Sequence, residues 1–110
     1  MAALVAAKVV LDCEGRPIRL TDERLAHIGD HPEMLGLESA IEDVLRSPER
    51  VVESLSDRQV RLYYRSYVST HVGDKYLCVV VKLGHDDAFV LTAYLTDTVK
   101  KGRTLWPAGR

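Results

Sequence analysis

The fold turns on residues 76–95, where Tyr76–Leu83 (YLCVVVKL) and Ala88–Leu95 (AFVLTAYL) flank Gly84-His85-Asp86-Asp87. Two runs rich in β-branched and aromatic residues around a Gly/Asp turn predict an antiparallel hairpin. A hairpin covered on both faces would be apolar almost throughout. This one carries Lys82, Thr92 and Tyr94 inside its runs, and the basic segment Lys100-Lys101-Gly102-Arg103 follows closely. Polar groups built into rigid strands mark either a satisfied network or a site.

Working outward, Arg50–Leu55 and Val60–Val68 are two further strand-like runs, linked by Ser56-Asp57-Arg58 and by His71-Val72-Gly73-Asp74. Sequential strands with turn-length links predict an antiparallel meander of four. At the N-terminal end, Leu4–Leu11 and Arg16–Leu20 around Asp12-Cys13-Glu14-Gly15 predict a small hairpin. Thr21 reads as an N-cap, with Asp22 and Glu23 in the first helical turn and Gly29 as the stop. Pro32 suits the opening turn of a second helix. Its apolar stripe (Leu35, Leu37, Ala40, Ile41, Val44, Leu45) runs to Ser47-Pro48. Thr96 or Asp97 is expected to cap one last helical turn ended by Gly102. The predicted class is therefore α+β: an N-terminal hairpin (1–20), then a unit over 21–107 with two helices packed on one face of a four-stranded antiparallel sheet.

Composition fits that picture. The 110 residues are 46% hydrophobic and 28% charged, ordinary for one globular domain. A chain this long buries roughly two-thirds of its unfolded surface, so no disulfide or metal staple is required. No apolar run approaches the roughly 20 residues of a membrane span, and MAALVAAKVV lacks the basic n-region of a signal peptide. Cys13 and Cys78, without a CxxC pattern, fit a reduced, cytoplasmic protein. Charge is divided unevenly. Residues 1–57 hold six Lys/Arg against twelve Asp/Glu, whereas 58–110 hold nine against four. Either acidic helices cover a basic sheet, or the basic half faces a polyanion such as RNA.

Strict alternation along the strands puts Val60, Leu62 and Tyr64 with Leu77, Val79 and Val81, and with Phe89, Leu91 and Ala93, as the helix-covered set. Tyr63, Arg65, Tyr67, Cys78, Lys82, Thr92 and Tyr94 would then share the other face. Cations, aromatics and hydroxyls together suit phosphate holding and base stacking, although a half-exposed sheet would look the same. His27 and His31, four apart at the junction of two short helices, offer proton transfer near neutral pH. No cysteine or placed carboxylate completes a metal tetrad around them, so no metal or other cofactor is expected. His71 and His85 fall in turns, and Trp106 reads as a packing anchor. Glycine-rich phosphate loops and GxSxG elbows are absent.

Four segments in series, LTDERLAHIGDHPEM (20–34), VRLYYRSY (60–67), KYLCVVVKL (75–83) and AFVLTAYLTDTVKKGRTLWP (88–107), resemble the PBECR-type domains. These are phage-associated nuclease-like domains grouped with barnase, EndoU, the tRNA-cleaving colicins and RelE. The resemblance implies two helices followed by a four-stranded antiparallel sheet, and metal-independent RNA cleavage of the bacterial toxin or phage-effector kind. Carried onto this chain, it nominates His27, His31, Arg65, Lys82, Thr92 and Tyr94 as catalytic. In such chemistry a ribose 2′-hydroxyl attacks its own phosphate and leaves a cyclic phosphate. Tyr63, Tyr67, Lys100, Lys101 and Arg103 would hold the RNA. The implied partners are RNA and an antitoxin or immunity protein, with no membrane. A homodimer in which the acidic half shields the basic face is also compatible. Two rival readings stay open: a non-catalytic RNA- or protein-binding relative, and a structural or regulatory protein whose cations are paired with acidic groups.

Overall fold

The computed structural model describes residues 7–107. The hairpin β1 (Ala7–Leu11) and β2 (Pro17–Thr21) leads into α1 (Asp22–Gly29), a 3-10 turn at Pro32–Met34 and α2 (Glu38–Arg46). Then come β3 (Arg50–Ser54), β4 (Val60–Thr70), β5 (Gly73–Leu83), β6 (Ala88–Thr96) and β7 (Gly102–Trp106). The expected start of the first strand at Leu4 lies outside the described residues.

The expected four-stranded sheet is overturned. All seven strands form one sheet in the order β1-β2-β6-β5-β4-β3-β7. The meander β3–β6 is there, but the N-terminal hairpin joins it through a parallel contact of β2 with β6 at Arg19 and Phe89. At the other edge β7 pairs antiparallel with β3. Strands therefore precede as well as follow the helices. No helical turn follows Thr96 either. Residues 97–101 are irregular, and the chain then runs as β7. Gly102 makes that possible, because a Cβ there would overlap the Glu53 carbonyl oxygen and Val52 Cγ1. The glycine that looked like a helix stop is a point of close strand approach.

Thr21 caps α1 as its sequence suggests, its Oγ1 accepting the Arg24 N–H at 3.1 Å. The second helix is shorter than its apolar pattern implied. Gly36, at φ +80°, separates the 3-10 turn from α2. Left-handed backbone of that kind cannot continue a right-handed helix.

Both helices lie on one face of the sheet. Ile28, Ala40, Ile41, Val44 and Leu45 pack there against Val10, Ile18, Leu20, Leu77, Val79 and Val81. Each fully buried Val, Leu or Ile contributes roughly 1.5–3 kcal/mol over its exposed state. Trp106 packs at the edge of this core. Among the described residues Asp12 is the one buried charged side chain, at 6% exposure. Its Oδ1 accepts the Glu14 and Arg16 N–H groups, shaping the β1–β2 turn, while Oδ2 accepts the Tyr63 hydroxyl at 2.6 Å.

Tyr63→Phe removes one partner of that buried bond and leaves a carboxylate oxygen unmatched. The expected cost is roughly 1–3 kcal/mol. It should appear as a lower urea midpoint at unchanged slope; an unchanged midpoint would show that the bond does not matter to stability.

Candidate functional site

Residues opposite one another in an antiparallel pair share a face. Tyr63 lies opposite Val79, and Arg65 opposite Leu77, so both sit on the helix-covered face. Tyr64 lies opposite Cys78, and Cys78 opposite Tyr94; Leu62, Val80 and Thr92 form the next row, and Val60 lies opposite Lys82. These rows make the open face. The expected grouping is thus corrected: Tyr63, Arg65 and Tyr67 stand across the sheet from Lys82, Thr92 and Tyr94.

Two causes account for the difference. First, β4 is amphipathic in a misleading sense. Leu62 and Tyr64 are buried not by helices but by a second, smaller cluster with Val52 and Cys78, against which Val99 of the β6–β7 connection packs. Second, the β5–β6 register shifts between Val80 and Val81, leaving Leu91 without an opposite residue. Such a bulge breaks the two-residue alternation. Val90 and Ala93 consequently share the buried helix side, while Phe89 turns to the open face, where the Arg19 guanidinium lies 5.4 Å from its ring centroid.

The nominated residues occupy several environments. His27 lies in the last turn of α1 and His31 follows the helix, both exposed, with ring centroids 6.4 Å apart and edge-on. Their helix packs on β6 and β2 from the covered side. Arg65 donates from Nη1 to the Ser47 carbonyl oxygen at 2.9 Å, at the C-terminal end of α2. There a cation satisfies an orphan carbonyl and complements the helix dipole. Tyr63 is fully buried, and burial first, then its bond to Asp12, pushes its hydroxyl pKa up. Burial likewise raises Tyr67. Arg103 of β7 pairs with Glu53 at 3.2 Å.

The open face brings the remaining residues together. A concavity of about 570 Å³ is lined by Ser54, Leu55, Ser56, Asp57, Val60, Leu62, Val80, Tyr94, Lys100 and Lys101. Lys82 reaches its rim, donating from Nζ to Asp57 Oδ2 at 2.6 Å. That hydrogen bond is the main reason the Asp57 carboxyl is held below its ordinary range. The Lys100 N–H donates to Tyr64 Oη at 3.1 Å, which ties the basic connection down over the face. The hydroxyls of Tyr64 and Tyr94 flank the Cys78 thiol. Burial dominates all three, lifting Tyr64 to about 12 and Cys78 to about 11, and raising Tyr94 as well. At neutral pH all three therefore keep their protons.

Asp57, Ser54 and Ser56 escaped the sequence reading. Their segment carries only a turn signature, and nothing local shows that β5 brings Lys82 against it. Among the described residues no three His, Cys, Asp or Glu side chains gather in a way that would hold a metal ion. None of their helices is long and apolar enough to cross a membrane. Comparison with known proteins yields no matching family model, no matching curated protein and no matching solved structure.

Cys13 and Cys78 are both free, and both thiols are raised to about 11, chiefly by burial. The thiolate is the reactive species. At pH 8 the fully buried Cys78 should resist a thiol reagent such as DTNB until denaturant is added, and the half-buried Cys13 should react slowly. Rapid release of two equivalents from native protein would contradict this packing.

Proposed function

We propose that this chain is an RNA-cleaving domain of metal-independent endoribonuclease type that works through the open face of its sheet. The observation that carries the reading is the convergence of Lys82, Lys100, Lys101 and the neutral Tyr94 hydroxyl around one solvent-open concavity with apolar walls. Ammonium groups there would hold a scissile phosphate and stabilise the charge that builds on it. The serine and tyrosine hydroxyls would contact phosphate oxygens, and Val60, Leu62 and Val80 would carry the flat side of a sugar or base. The resemblance to PBECR-type domains points to the same substrate class.

The histidines enter this reading differently from the lysines. His27 and His31 belong to the helix layer on the covered side. They can serve the concavity only around an end of the sheet, so the open face must supply most of the chemistry. That same separation favours a second reading, in which the face binds RNA without cutting it.

Purified protein incubated with end-labelled RNA in EDTA decides between them. We expect 2′,3′-cyclic phosphate ends, and binding that weakens as salt rises. Lys100→Glu/Lys101→Glu should lower the slope of log affinity against log salt by about 0.7 for each lost phosphate contact. Binding without cleavage would select the second reading. RNA neither bound nor cut would sink both.

A further inference from the structure

The concavity contains one carboxylate among its cations and hydroxyls, and that carboxylate is held from both sides. Asp57 Oδ1 accepts the Gln59 N–H at 2.9 Å, fixing the turn between β3 and β4. Its other oxygen, Oδ2, receives Lys82 Nζ of β5 at 2.6 Å. Both side chains are part-exposed, 40% for Asp57 and 30% for Lys82, so the pair faces solvent at the mouth of the concavity. An exposed ion pair of this kind adds little to stability. Its placement has more to say about ligands than about folding. Lys82 is the cation that an incoming phosphate would meet, and Asp57 is the group left free when it does.

We infer that Asp57 is the general base of the RNA-cleaving site, freed for that role when a substrate phosphate takes Lys82 from it. The inference rests on the endoribonuclease reading given above and adds to it a residue and an order of events. In the free protein Lys82 occupies Oδ2 and keeps the carboxylate ionised. A phosphodiester entering the concavity brings oxygens that compete for the same ammonium, with Lys100 and Lys101 adding attraction. Oδ2 is then open to the neighbouring ribose 2′-hydroxyl, while Gln59 continues to hold Oδ1 in place. The 2′-oxygen attacks phosphorus as its proton passes to Asp57. The bond from phosphorus to the 5′-oxygen breaks, and that oxygen leaves with a proton from water. The products are a 2′,3′-cyclic phosphate and a 5′-hydroxyl, and Asp57 returns its proton to solvent. Lys82 of β5 is the charged group in contact with Asp57, and Tyr94 of β6 and Lys100 and Lys101 of the β6–β7 connection line the same concavity. Tyr94 carries its proton at neutral pH and cannot replace the carboxylate as base.

Asp57→Asn tests this directly, because asparagine retains an acceptor for the Gln59 N–H but cannot take a proton. Full-length wild type, Asp57→Asn and Lys82→Ala would be compared for binding and cleavage of one labelled RNA between pH 2.5 and 8. A copy with a 2′-deoxy nucleotide at the cut site serves as control. We expect Asp57→Asn to bind within a few-fold of wild type and to cut about 10²–10⁴-fold more slowly. The rise of rate with pH on the acid side should disappear in Asp57→Asn and persist in Lys82→Ala, a split that a purely structural role for Asp57 would not produce. Wild-type cleavage by Asp57→Asn would overturn the inference and leave the RNA reading standing. So would loss of binding together with cleavage in that variant, or wild-type protein that binds without cutting. Wild-type protein that neither binds nor cuts would remove both.

Discussion

The hydrogen bond from Tyr63 to Asp12 joins parts of the chain that are far apart in sequence and three strands apart in the sheet. Asp12 sits in the β1–β2 turn and Tyr63 in the middle of β4, both buried. A buried carboxylate is tolerable only when its oxygens are satisfied. Here the same side chain organises its own turn through two backbone N–H groups and then anchors that turn to β4. The N-terminal hairpin thereby becomes a wall of the helix-side core, with Val10, Ile18 and Leu20 among its most buried residues. Lys8 of β1 paired with Glu42 of α2, and Arg61 of β4 paired with Glu14, brace the same junction from the outside.

Closing one face so thoroughly determines what is left for function. Both helices and the hairpin turn serve the covered side, so among the described residues it is the 97–101 connection that shields the other side of β3–β6. That connection buries Val99 and donates the Lys100 N–H to Tyr64. It also carries two lysines onto the face. The local charge near the concavity is accordingly positive, even though the net charge of the chain is −1. The acidic residues of α1 and α2 lie in the helix layer instead, together with Arg61 and Arg65 of β4.

Much of this could be read from local sequence. Thr21 as a cap, the two hairpin turns and the four central strands each have a short-range signal, and the structure places them where those signals fall. What stayed hidden depended on distant partners. Gly102 looks like a helix stop until Glu53 is found against it. The two faces of β4 are both partly apolar, and only pairing with β5 shows which side Tyr63 takes. The bulge at Leu91 leaves no mark in a Val- and Leu-rich strand, yet it reverses the facing of everything before it. For the site the pattern is the same. Lys82, Thr92 and Tyr94 stand out as polar interruptions of an apolar hairpin and do share a face, whereas Asp57 becomes visible only through its contact with Lys82.

The two-sided sheet also constrains any chemistry assigned to the chain. Side chains that alternate along a strand are separated by the sheet itself, so Arg65 and Lys82 cannot grip one phosphate from within their strands. Arg65 is already committed to the end of α2, where it satisfies a carbonyl that would otherwise lack a partner. Lys82 is committed to a part-exposed carboxylate at the mouth of a concavity. One cation is built into the scaffold, and the other is held in an exchangeable contact. That difference, more than the presence of either residue, identifies the open face as the side on which a ligand could change the protein's internal pairing.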